Sequence, residues 1–177
     1  MILSEQTFIE LAGKQEVLDV KIKAAKGITE LHYRKVELYY RVELGECINE
    51  MKGDFKHWSD KPMRRVEFME EFVDALHFFL SYINHYSESR PLANLTVEDA
   101  YYELGENYNR YQDYIKWNKD AEYWDIALDA IVAKEIFRSF ATLVYLVEKY
   151  DYTEQDIIDA YNKKNAVNHD RSDSGVY

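Results

Sequence analysis

Apolar residues recur along this chain at intervals of three and four, the spacing that lines one face of an α-helix. The first such stretch covers residues 7–26, with Phe8, Leu11, Ala12, Val17, Leu18 and Ile22 on its apolar side. Ser4 is suited to cap it and Gly27 to end it. A second helix is predicted over 29–52, with Leu31, Val36, Leu38, Tyr39, Val42, Cys47, Ile48 and Met51, and Thr29 as its cap. The segment GDFKHWSDKP (53–62) carries Gly, Asp, Ser and Pro and reads as a loop. Its Phe55 and Trp58 are unusual residues for a loop. A third helix over 63–87 has the widest apolar face, including Phe68, Phe72, Val73, Leu76, Phe79, Leu80 and Ile83. Thr96 opens a fourth over 97–117, a fifth spans 121–150, and TEQD opens a sixth over 153–165. The rest is polar. About six helices, no strand and an apolar face on every long helix predict an all-α bundle. The whole chain, 1–177, reads as one domain ending in a mobile tail from about residue 164.

Composition sharpens this. Six glycines and two prolines in 177 residues compare with about 12% in an average protein. Such scarcity disfavours β-sandwiches and Gly-rich nucleotide loops. The net charge of −11 opposes binding to nucleic acid or an anionic membrane surface. Cys47 is the single cysteine, so neither an internal disulfide nor a Cys-based zinc site is expected. The start has no basic, then apolar, secretion pattern, and no run of about 18 uncharged apolar residues occurs. A cytoplasmic location is the expectation. The 16 tyrosines, with eight Phe and three Trp, must largely serve the core or a subunit contact. Tyr101, Tyr102, Tyr108, Tyr111, Tyr114 and Trp117 suggest base stacking, but they share their helix with acids and have no basic groove.

Candidate chemistry lies in the acids. Glu43 and Glu46 are three apart on the second helix, which puts both carboxylates on one face, and Glu50 extends the stripe. Glu71 and Asp74 repeat the spacing on the third. All are flanked by apolar residues, where an acid is costly without a positive partner. If the two helices pack through these faces, the carboxylates converge and repel, and a divalent cation relieves them. Oxygen-only ligands suit Mg²⁺ or Mn²⁺ better than zinc. A solvated acidic face is the competing reading of the same spacing.

ELGECINE (Glu43–Glu50), FKHW (Phe55–Trp58) and EEFVDALHF (Glu70–Phe78) together resemble the all-α NTP pyrophosphatase superfamily, with its ExxE and ExxD helices. The closer resemblance is to the dimeric dUTPases and related phage dCTP pyrophosphatases. Gln15-Glu-Val-Leu-Asp19 is similar to that family's base-recognition segment, and Lys164-Asn165-Ala-Val-Asn168-His-Asp-Arg171 to its phosphate motif. These blocks stand in the family's order. Departures are Ser172 after Arg171, Gly175-Val-Tyr177 at the end, and Phe55 where many members have Trp.

The resemblance implies hydrolysis of dUTP to dUMP and pyrophosphate in a homodimer, with two or three Mg²⁺ (or Mn²⁺) per site. It implies Glu43, Glu46, Glu71 and Asp74 as metal ligands, with Glu43 also orienting and deprotonating the attacking water. Lys164, Asn168 and Arg171 are implied for the phosphates, and Gln15, Asp19, Trp58 and His77 for the base or sugar. Glu50, Lys56, Asn165 and Tyr177 are further candidates. Several plain alternatives stand beside these roles. Gln15 can be a surface residue, Trp58 a plug for its loop, His77 a packed core histidine, and the tail a frayed terminus. An amide can turn to suit either pyrimidine, so dCTP is the alternative substrate. A helical interaction protein without catalysis is the third reading.

Overall fold

The structure, a computed structural model, describes residues 1–89, 94–118 and 120–175. Among them are seven α-helices and no strand: α1 (Glu5–Lys26), α2 (Tyr33–Asn49), α3 (Arg65–Ser89), α4 (Val97–Trp117), α5 (Tyr123–Val132), α6 (Ile136–Lys149) and α7 (Glu154–Ser174). The caps foreseen at Ser4, Gly27 and Thr96 are all present. Thr153 opens α7 with a reciprocal capping box to Asp156.

α2 and α3 form the most extensive pairing. They run antiparallel: the Cys47 thiol meets the Phe68 carbonyl, Tyr39 lies 5.3 Å from Phe78 and Tyr33 lies 5.1 Å from Tyr86. α3 also packs against α1, α4 and α7, which makes it the axis of the fold. The core centres on fully buried Phe72, Phe79 and Phe140. Phe79 stacks on Phe140 at 4.1 Å, and Tyr40 closes the layer through a 2.9 Å hydrogen bond to Ser139.

Three boundaries differ from the periodicity. The fifth predicted helix is two, because Ala133 turns into extended backbone (φ −62°, ψ 119°). No glycine or proline marks the break. The carbonyls it frees are met by Ser139, which donates to Ala130 O at 2.7 Å, and by Arg41, which donates to Lys134 O at 3.0 Å. α2 begins later than Thr29, because His32 caps it through a 3.2 Å bond from the Arg34 backbone N–H. α7 runs beyond 165 to Ser174 and is closed by Gly175 at φ 70°. Residues 164–174 are therefore helix, docked along α1 and α3.

Candidate active site

The antiparallel pairing of α2 with α3 sets the site. With Cys47 opposite Phe68, the ExxE stripe of α2 faces the ExxD stripe of α3. Carboxylate oxygens of Glu43, Glu46 and Glu71 all lie within 4.8 Å of one another. Asp74, one turn further along α3, is bound by the Lys164 ammonium from α7. The neighbouring Lys163 pairs with Glu70 at 2.8 Å.

Crowding shows in the protonation equilibria. Burial, then the charges of Asp74, Glu46 and Glu71, pushes Glu43 up from 4.5 to about 7, against the pull of Lys164. Glu71 is raised by burial and by Asp74 and Glu46. Burial raises Asp74, with Lys164 and Arg171 opposing.

Glu50 does not join the cluster. It is buried at the end of α2 and pairs with Lys52 at 3.1 Å and Arg64 at 3.2 Å, tying down both ends of the loop. Within that loop the Gly53 N–H donates to Lys61 O at 2.9 Å. A Cβ on Gly53 would stand 2.8 Å from the carbonyls of Ser59 and Lys61, so no larger residue closes the turn this way. Lys56 bonds Asn49. Trp58 is 72% exposed, its ring against His57. With Lys52, Lys56, Lys61 and Arg64 it borders a basic basin of about 600 Å³.

Gln15, Asp19 and His77 come together between α1 and α3. Gln15 is buried, not on the surface. Its Nε2 donates to Asp19 Oδ1 at 2.8 Å, and its Oε1 meets His77 Nδ1 at 2.5 Å and the Tyr161 hydroxyl at 3.1 Å. The His77 ring stacks on Tyr161 at 4.1 Å. Burial and the nearby Lys164 lower His77 to about 3, so the ring is neutral at physiological pH. Tyr161 was not legible as a site residue, being one of 16 tyrosines. Its only signal is a place on the helix stripe that also carries Asn165 and Asn168. Asn165 and Asn168 are partly buried and Arg171 is exposed. Tyr177 lies outside the described residues.

The dUTPase family model matches residues 7–176. The chain belongs to that family. No curated protein matches it. As a dUTPase-family chain it falls among nucleotide pyrophosphohydrolases, and its paired acidic stripes are the part that fits such chemistry.

The residues also suit the metal dependence typical of dUTPases. The donor set is all oxygen, which favours a hard divalent ion. Opposite ligands of Mg²⁺ stand about 4.2 Å apart, from bonds of about 2.1 Å. The observed spread of up to 4.8 Å closes with small side-chain rotations. Among the described residues no helix is long and apolar enough to cross a membrane.

The raised carboxyls predict a pH effect. Between 4.5 and about 7, Glu43 in the native protein keeps a proton that the unfolded chain has released. A native state that binds more protons loses stability as pH rises through that window. The metal-free protein is therefore expected to melt at lower temperature at about pH 8 than at about pH 5.5, and Mg²⁺ should restore the loss. A melting temperature equal at both pH values would show that Glu43 does not hold its proton in the folded protein.

Proposed function

We propose that this chain is a Mg²⁺-dependent dUTP diphosphatase, converting dUTP and water to dUMP and pyrophosphate. The observation that carries the reading is the convergence of Glu43, Glu46 and Glu71 across the α2–α3 pair, with Asp74 beside them under Lys164. These four carboxylates would hold two or three divalent ions, Mg²⁺ or Mn²⁺. Ions bound there supply neutralisation of the triphosphate charge and a lower pKa for bound water.

The remaining work falls to the chain's own groups. Glu43 orients the attacking water and takes its proton, a role suited to a carboxylate raised toward neutrality. Lys164 leaves Asp74 for a phosphate oxygen once the carboxylate charge is met by other cations. Arg171 offers a planar fork to two phosphate oxygens, and Asn168 adds a neutral bond, with Asn165 beside it. The C-terminal part of α7 thus closes over the phosphates. Gln15, Asp19 and His77 form the nucleoside end. The exposed Trp58 is available for stacking, with Lys56 alongside.

A homodimer belongs to the same reading. Trp124, Leu128, Ile131 and Val132 make an exposed apolar stripe on α5, which a second copy would cover. A cytoplasmic setting, where nucleotide pools are found, completes it.

The test is a panel of dUTP, dCTP and dTTP with Mg²⁺, read as pyrophosphate released. Release from dUTP well above the others, abolished by a chelator and restored by Mg²⁺, is the expected result. Release from dCTP alone would reassign the substrate. No release from any nucleotide, with no Mg²⁺ binding by calorimetry, would overturn the enzymatic reading in favour of an interaction protein.

A further inference from the structure

We infer that a cavity where α2 begins and α3 ends binds a small zwitterion, a molecule with a primary ammonium at one end and a carboxylate at the other. This goes beyond the proposed nucleotide hydrolysis and does not depend on it.

The cavity measures about 360 Å³ and also touches α4 and the turn between α5 and α6. Tyr33, Tyr82 and Tyr86 line it. Tyr33 meets Tyr82 at 5.6 Å and Tyr86 at 5.1 Å, both edge-on. Along α3, Tyr82 stands eight residues beyond Asp74, about 12 Å at about 1.5 Å per residue. None of the clustered carboxylates borders the cavity.

Tyr82 supplies the first argument. Six tyrosines are buried in this protein. Tyr40, Tyr108, Tyr111, Tyr150 and Tyr161 each bond another group through the hydroxyl. Tyr82 is only 7% exposed, yet among the described residues its hydroxyl has no hydrogen-bond partner. A buried phenol ordinarily finds one, because giving up water without a replacement is costly. Tyr82 lines the cavity, so a molecule held there can supply the partner.

Charge supplies the second. Glu37 borders the cavity but is met by Arg41 at 3.3 Å. Glu103, Glu135, Arg34 and Lys134 border it too, all four exposed, and among the described residues none of them forms an ion pair. Burial and then the charge of Glu135 raise Glu103, so these two acids repel. Burial, Glu37, the phenols of Tyr86 and Tyr33, and Glu103 all push the Tyr82 hydroxyl upward. The named neighbours of that oxygen thus favour a donor with positive charge. An ammonium donates N–H to Tyr82, relieves Glu103 and Glu135, and gains from aromatic walls. Arg34 offers a carboxylate a planar fork, and Lys134 adds a point charge. A ligand of positive charge alone leaves these two unanswered. One of negative charge alone meets Glu103 and Glu135. A single molecule with both charges satisfies all four and the phenol.

The probes are glycine, 4-aminobutyrate and 6-aminohexanoate, which differ in the span between their charges. Each is compared with the alkylammonium and the alkanoate of matching length. Binding is read from NMR of the tyrosine rings in labelled protein. Excess Mg²⁺ keeps the ammonium off the acidic cluster, and no nucleotide is present. Tyr82→Phe assigns the Tyr82 signal by its loss, and Tyr33 and Tyr86 report binding in that variant. One aminocarboxylate is expected to saturate the Tyr82 signal and to bind about tenfold tighter than either of its halves, the worth of one charge-assisted hydrogen bond. Glu103→Gln should weaken that probe by about tenfold without weakening the alkanoate. Tyr82→Phe should weaken it by about fivefold.

A matching alkanoate or alkylammonium that binds as tightly overturns the inference, because one sign then suffices. Unchanged affinity in both Tyr82→Phe and Glu103→Gln overturns it by placing the molecule elsewhere. No saturable change with any probe overturns it by leaving the Tyr82 hydroxyl to water. Glu103 is exposed and repelled by Glu135, so Glu103→Gln keeps the fold and decides the matter even if Tyr82→Phe does not fold. Pyrophosphate release from dUTP stands or falls separately from each of these outcomes.

Discussion

Glu46→Gln is expected to lower pyrophosphate release by about a thousandfold, the scale of losing several kcal/mol of metal-borne charge stabilisation, while the protein stays folded. The side chain keeps its length and shape. Glu46 is exposed, so no core contact is lost. What goes is one of the three carboxylates that meet within 4.8 Å. A neutral amide is a poor ligand for a hard cation, and the proposed centre loses both a bond and a charge. The metal-free protein should respond in the opposite sense. Glu46 is one of the charges that push Glu43 upward, so removing it relieves repulsion and the melting temperature should hold or rise. Mg²⁺ affinity by calorimetry should fall alongside turnover. A variant with near-wild-type rates in saturating Mg²⁺ would strike Glu46 from the proposed ligands. A variant that is inactive and also melts early would point to a structural role.

Phe79→Ala is expected to destabilise the protein by about 3–5 kcal/mol, the usual cost of emptying a buried aromatic site. For a chain of this length that is roughly 6–20 °C in melting temperature. Phe79 has no solvent exposure, stacks on Phe140 at 4.1 Å and packs edge-on to Phe137 at 5.3 Å. It lies on α3, which touches α1, α2, α4 and α7, so the cavity opens where most helices meet and cannot be filled by one neighbour moving. Chemical denaturation measures the loss directly. A change under about 1 kcal/mol would mean the layer around Phe140 collapses onto the gap.

How far the sequence reached differs from element to element. α1 and α4 were legible almost to the residue, since Ser4, Gly27 and Thr96 are local capping signals that act through their own backbone neighbours. The break at Ala133 was not. It is held by Ser139 nine residues on from Ala130 and by Arg41 of α2, 93 positions from Lys134, and nothing in the local composition announces it. The extent of α7 was missed for a similar reason. Its polar C-terminal half has weak helical periodicity of its own, and Lys21 of α1 supports it through Asp173 at 2.8 Å.

For the site, ExxE and ExxD were readable because a helix places residues three apart on one face whatever surrounds it. The sequence determined, by itself, an all-helical chain, two acidic stripes and the order of the blocks that ally it with the dUTPases. The tertiary structure alone decided that the stripes face each other, that Glu50 serves the loop instead, that Lys164 reaches Asp74, and that Tyr161 completes the group around Gln15 and His77. The physical reason is range. Periodicity and capping are written in bonds a few residues long, whereas the register of two helices, the burial that shifts a carboxyl and the partner of a buried amide are set by side chains up to about 150 positions away, as the Gln15–Tyr161 hydrogen bond is at a separation of 146.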